Sequence, residues 1–347
     1  MKRIDERDTM FARMSYKKDS HEYRDYYGRN PEKRSGDDKL RNMPNLCSEG
    51  TSTYDEVAAP FVDSGFKILG GMKSLAEGEK NKKRVDVDAA EITDRLKKML
   101  KYLGAKDVGI TPMKDEYYYS HRGRHPENYG EKVEENYAYA IAYSVEMDED
   151  MINRAPNFEE VIAVTKGYMD AAVIGIWGSE YIRNLGYEAR GHVDGNYLVC
   201  APLIGEAAGL GELGRHGLLV SEEQGSRIRL GVITTNLPLL PDKSRKFGMD
   251  ELCDECGICS ENCPGKAIPS DKREERWQID QEACYGIWRR VGTDCGVCLS
   301  SCPVSQEVGR GYRGRLKDSE VRKEMLEEYR KTYGKRNYLN KPLDIMK

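Results

Sequence analysis

LCDECGICSENCPG (252–265) and ACYGIWRRVGTDCGVCLSSCP (283–303) decide how this chain is read. The first holds Cys253-x2-Cys256-x2-Cys259-x3-Cys263-Pro264, and the second holds Cys284-x10-Cys295-x2-Cys298-x3-Cys302-Pro303. Three closely spaced thiolates grip one iron–sulfur cubane in the bacterial ferredoxin pattern, and the fourth cysteine crosses to the other cluster. Cys253, Cys256, Cys259 and Cys302 therefore form one expected ligand set, and Cys263, Cys284, Cys295 and Cys298 the other. The ten-residue gap before Cys295 departs from the small-ferredoxin spacing and bears only on where Cys284 sits. Zinc also uses CxxC pairs, but zinc sites lack the third cysteine at x2 and the Cys-Pro pair. Two [4Fe–4S] clusters make an electron wire, which implies a redox centre at one end of it.

Composition agrees. Eight of ten cysteines crowd into the fifty residues from 253 to 302, whereas a disulfide scaffold spreads them through a short exported chain. Cys47 and Cys200 are left over and read as small buried apolar residues. The chain has 347 residues, enough for two domains, with 39% apolar and 33% charged residues. Its net charge of −4 does not suggest a general binder of nucleic acid or anionic membrane. No uninterrupted apolar run reaches the roughly 18 residues that span a bilayer. The opening MKRIDERDTMF carries no apolar export segment, so a cytoplasmic location is the expectation.

Working outward, residues 1–84 are polar and irregular, with anchors at Phe11, Pro60, Phe61 and Phe66, and read as a wrapping arm with short helices. Residues 85–245 carry the regular pattern. Asp88 caps a helix whose Ile92, Leu96, Met99, Leu100 and Leu103 share a face and which Gly104 closes. VGIT (108–111), AYAIAYSV (138–145), YEARGHV (187–193) and RIRLGVITT (227–235) read as strands, and 157–185 as one or two helices. The fold class is α/β (α+β). LPLLPDKS (237–244) reads as a linker to a ferredoxin-like module over 246–310, and 311–347 as a helical tail.

The chain resembles the corrinoid-dependent reductive dehalogenases. The resemblance runs through RDTMFAR (7–13), LGAKDVGI (103–110), YYYSHRGR (117–124), YIRNLGYEA (181–189), AGLGELGRHGLLVSEEQGSRIRL (208–230), TTNLPLLPDK (234–243) and WRRVGTDC (288–295). The epoxyqueuosine reductases resemble it less, since their glycine block usually carries an aromatic residue and Lys where this chain has Glu212 and Arg215. The resemblance implies cobalamin (a base-off corrinoid) in a nitroreductase-like domain, with no protein ligand to cobalt. In keeping with that, none of the five histidines forms the D-x-H-x-x-G pattern of His-ligated corrinoid proteins. Gly209, Gly211 and Gly214, with Glu212 and Arg215, are the expected corrinoid-binding block; their bland alternative is tight packing.

The implied proton donor is a tyrosine beside a cation, because a nearby positive charge stabilises the phenolate left behind. Tyr168 is the match, with Asn196 near substrate and Arg227 or Arg229 as the cation; one arginine of the two is expected in the pocket. With 22 tyrosines in the chain, a structural Tyr168 is the competing reading, and Tyr117, Tyr118 and Tyr119 offer a rival donor or a lining wall. The implied partners are a small organohalide and a soluble ferredoxin or flavodoxin as electron donor, with a homodimer allowed and no nucleic acid expected. Reduction of a modified nucleoside in RNA and a non-catalytic electron carrier are the competing functions.

Overall fold

The computed structural model describes residues 2–272 and 276–346. Its strands are β1 (Asp107–Pro112), β2 (Tyr139–Glu146), β3 (Ala189–His192), β4 (Glu212–Leu213), β5 (Leu219–Val220) and β6 (Ile228–Thr235). Four of them form one sheet in the order β1-β2-β6-β3, and β4 pairs with β5. Every pairing is antiparallel, so the alternation of strands and helices builds an α+β layer rather than a parallel one.

Period-two alternation sorts the central strands onto two faces. Ile141, Tyr143, Val145 and Ile233 pack against Ile92, Leu96 and Leu100 of the Ala89–Tyr102 helix and Ile174 and Ile182 of the Phe158–Asn184 helix. Ala140, Ala142 and Val232 face the other way, toward Leu198, Ile204, Ala208 and Leu210. Asp88 caps the first helix as expected, its carboxylate accepting the Ala90 and Glu91 N–H groups at 2.9 Å. Met99 is the exception on its apolar face and is exposed. The Phe158–Asn184 helix is long and apolar enough to cross a membrane by length and composition, but 61% of that window is buried in the fold. Its apolar character is that of a core element packed between the sheet and the arm helix Ala58–Met72.

The arm consists of helices Met10–Ser15, His21–Arg29, Pro31–Arg41 and Ala58–Met72. It is tied to the cysteine module at several points. Arg13 is buried between Asp37 and Glu282, each at 2.6 Å. The Cys47 N–H donates to the Gly292 carbonyl at 2.8 Å, and the Thr53 N–H to Val291 at 3.1 Å. The C-terminal helix Ser319–Tyr333 covers the same module from the other side, with Met325 buried and the Tyr329 hydroxyl donating to the Ser301 carbonyl at 3.1 Å.

The segment read as a linker is core. Leu237 and Leu239 are buried. Asp242 accepts the Ile110 N–H at 2.8 Å and pairs with Lys97 at 2.6 Å. Two prolines break the strand pattern, but Leu237 and Leu239 still join the core on one face of the sheet, while Leu240 is exposed.

Candidate redox site

The two cysteine motifs fold alike. Each places a short helix after a left-handed glycine, Gly257 (φ 65°) before Ile258–Asn262 and Gly296 (φ 59°) before Val297–Ser301. That conformation is open to glycine without a Cβ penalty, and it aims successive sulfurs inward. Cys253, Cys256, Cys259 and Cys302 line one hollow of about 20 Å³. Cys298 has Cys295, Cys284 and Cys263 among its electrostatic neighbours, together with Cys259 of the first group. The spatial grouping is thus the one drawn from spacing, and Cys259 and Cys298 bring the two groups together. Burial pushes the thiols of Cys256 and Cys295 up to about 12. Thiolates packed this densely need cationic metal to hold them ionised, which is what iron supplies. Replacing Cys256 with Ala is expected to lower bound iron from about eight to about four per chain, by colorimetric iron assay. Retention of all eight would contradict the ligand grouping.

The charged residues of the glycine block belong to this module rather than to a corrinoid. Glu212 is buried at the head of the Met249–Cys256 helix, where one carboxylate oxygen accepts the N–H groups of Phe247, Gly248 and Met249 at 2.5, 3.0 and 3.2 Å. A carboxylate at a helix N-terminus satisfies donors with no intrahelical partner and meets the positive end of the dipole. Arg215 donates its backbone N–H to Cys253 Sγ at 3.2 Å and a guanidinium N–H to the Cys253 carbonyl. It also stacks on Trp277 at 4.1 Å. The glycines serve close packing: a Cβ on Gly209 would meet the Lys243 carbonyl oxygen at 2.5 Å, and one on Gly211 the Val220 carbonyl oxygen at 2.1 Å. On Gly214 it would meet the His216 ring at 2.9 Å. Glu212 and Arg215 are thus engaged with the first cluster loop rather than pointing at a corrinoid, and Gly214 packs on His216, while Gly209 and Gly211 line a separate hollow of about 210 Å³.

A cavity of about 270 Å³ lies between the sheet and the module. Tyr168, Tyr119, Tyr197, Phe11, Leu218 and Leu230 line it, with Asp194, His192, Cys200, Ser226 and Arg229 among its polar groups. Tyr168 and Arg229 meet there, the guanidinium 4.0 Å from the ring centroid. Burial raises the Tyr168 hydroxyl above its ordinary range, and Arg229 pulls it part of the way back. Among the described residues Arg229 makes no ion pair, and its Nε is buried without a partner. Leu299, next to Cys298, forms part of the wall and packs with Cys298 and Tyr168.

Two expected site residues are elsewhere. Arg227 precedes β6 and is spent on the Ser305 and Met147 carbonyls, at 2.8 and 2.9 Å, with Glu146 and Glu149 as ion partners. One arginine does face the cavity, but because Arg227 lies outside the strand; residues two apart on a strand share a face. Asn196 accepts from Arg190 at 2.6 Å and donates to the Lys73 carbonyl at 3.0 Å, away from the cavity lining. Of the rival tyrosines, Tyr119 lines the cavity while Tyr117 and Tyr118 are in the core. Cys200 faces the cavity rather than serving as plain core. Phe11, read from the sequence only as an anchor of the arm, lines the cavity, its ring 5.8 Å from Trp288 and 5.2 Å from the Arg124 guanidinium. Sequence reasoning missed Glu160, which is fully buried with both carboxylate oxygens unpartnered beside Gly296.

The 4Fe-4S dicluster domain family matches residues 252–306, all eight cysteines included. The chain is 32% identical over 178 residues to the tetrachloroethene reductive dehalogenase of Sulfurospirillum multivorans, covering 48% of this chain and 35% of that one. It is 30% identical over 264 residues to that of Desulfitobacterium hafniense, covering 61% and 48%. The solved catabolic reductive dehalogenase NpRdhA, in complex with 3-bromo-4-hydroxybenzoic acid, superposes on 98% of this chain with a TM-score of 0.79 at 21% identity. Over the part that aligns, the chain is similar to the reductive dehalogenases. It has the reductive dehalogenase fold joined to a two-cluster [4Fe–4S] module, and it spans less than half the length of each of these relatives. The epoxyqueuosine reductase of Lactococcus garvieae is 31% identical over a shorter stretch of 119 residues, 31% of this chain.

Proposed function

We propose that this protein is a reductive dehalogenase, removing halide from a small organohalide by a two-electron, one-proton reduction. The observation that carries the reading is the pairing of Tyr168 with Arg229 in a cavity whose wall, at Leu299, is continuous with a cluster-bearing loop. The curated relatives named for this activity and the corrinoid-dependent dehalogenase fold support it.

The cavity residues suit contact with a corrinoid, although a cavity of about 270 Å³ is too small to enclose one. It opens to solvent, its walls are small and apolar at Ala201, Pro202, Leu218 and Leu219, and Arg229 Nε is a buried donor lacking an acceptor. These residues, with Ser226, would hold the cofactor, which when bound supplies the low-valent metal that breaks the carbon–halogen bond. The chain's own part is positional and protic. Phe11, Tyr119 and Tyr197 present aromatic walls to an apolar substrate. Tyr168 holds a proton on its hydroxyl, and Arg229 over its ring lowers the cost of the phenolate that remains after donation. Cys298 and its companion cysteines would hold the cluster that supplies single electrons, and Leu299 beside Cys298 sets that loop against the cavity. A small soluble reductant of the ferredoxin or flavodoxin class is the partner this calls for.

The test is anaerobic reconstitution with iron, sulfide and cobalamin, then halide release from chlorinated and brominated substrates with reduced methyl viologen. Halide release that depends on cobalamin is the expected result. Reduction of epoxyqueuosine in an RNA stem-loop without halide release would favour the RNA-modifying reading, and neither activity would leave an electron carrier.

A further inference from the structure

We infer that His216 donates an Nε2–H hydrogen bond to the cluster held by Cys253, Cys256, Cys259 and Cys302, and thereby eases its reduction. The side chain is 4% exposed. Its Nδ1 accepts the Leu218 N–H at 3.2 Å, which places the ring proton on Nε2. That Nε2 is buried with no partner in the protein. Buried donors in native proteins are nearly always paired, so an orphan marks a group still to be supplied. His216 lines the hollow ringed by the four cysteines, and among the five histidines it alone does so. The residue before it already donates to the same sulfur set, through the Arg215 backbone N–H on Cys253 Sγ. Two consecutive residues thus present donors to one cluster, one from the main chain and one from a side chain. Hydrogen bonds to cluster sulfur stabilise the more negative, reduced state and raise the potential.

The inference rests on the two-cluster assignment but not on dehalogenation, and the test separates the two. It uses the full chain with reconstituted iron, followed by EPR during a redox titration. His216→Phe is expected to keep eight irons while one cluster signal moves to lower potential. At the wild-type midpoint its reduced-to-oxidised ratio falls about tenfold, or 59 mV for a one-electron couple. The other signal stays in place, and His216→Gln, which restores an N–H donor, recovers most of the shift. In wild-type protein labelled with ¹⁵N-histidine, electron–nuclear double resonance of the reduced cluster should show one weak nitrogen coupling. That measurement decides the matter if the Phe variant loses its cluster. An unchanged midpoint in iron-replete His216→Phe, or no nitrogen coupling in the wild type, overturns the inference. Protein that takes up no iron would instead overturn the cluster assignment.

Discussion

Tyr168→Phe is expected to keep both clusters and its fold while losing about two to four orders of magnitude in turnover, the usual contribution of a positioned general acid. The substitution is conservative in packing. Phenylalanine preserves the ring on which the Arg229 guanidinium rests at 4.0 Å, and the contact with Phe66 at 5.9 Å between centroids. Only the hydroxyl goes. Burial raises that hydroxyl above the ordinary tyrosine range. A raised value means the protonated, donating form persists through neutral and mildly alkaline solution. The tyrosine-dependent rate should therefore show no fall below about pH 10. Single-turnover halide release, with iron content as the control, checks both statements. A wild-type rate in the Phe variant would remove Tyr168 from the reaction and turn attention to Tyr119.

The second large effect is on the metal content. Glu212→Ala leaves the N–H groups of Phe247, Gly248 and Met249 without their shared acceptor, at the start of the helix that presents Cys253 and Cys256. Stranding buried donors costs about 1–3 kcal/mol each, and the loss of a charged acceptor at a helix head adds to it. Lys246, 3.5 Å from the same carboxylate, would also lose a partner. The expected result is a thermal midpoint several degrees lower and iron reduced toward the four of the second cluster. Glu212→Gln, which keeps one acceptor oxygen, should fall between. Full iron retention in the Ala variant would show that the cysteine loops hold the helix without this cap.

The features legible in the chain are those set by neighbours in sequence. Cysteines spaced two and three apart must share a loop, and Asp88 before an apolar stripe must start a helix. The misplaced residues are those whose partners lie far along the chain. Arg215 reaches Cys253, 38 residues on, and Arg227 reaches Ser305, 78 residues on. Nothing local marks a charged residue as a cap for a distant helix rather than a ligand contact. Asp242 is alike: the prolines around it signal a break, while Lys97 and Ile110, which draw it into the core, are more than 130 residues earlier. Asn196 was placed by its distance from other motifs, and Arg190 and Lys73 claim it instead.

The clasp between the arm and the Gln281–Val291 helix has a consequence for synthesis. Arg13 meets Glu282 across 269 positions, and Thr53 bonds Val291 across 238. Nothing emerging earlier from the ribosome offers the first helices these partners. The arm's helices can pack on one another early, through Arg13–Asp37 and the tyrosine cluster, but their contacts with this helix cannot close before residue 291 is made. Contacts so distant close slowly. Cys284 lies on that same helix, so the arm's docking and the second cluster's ligand loop share one element.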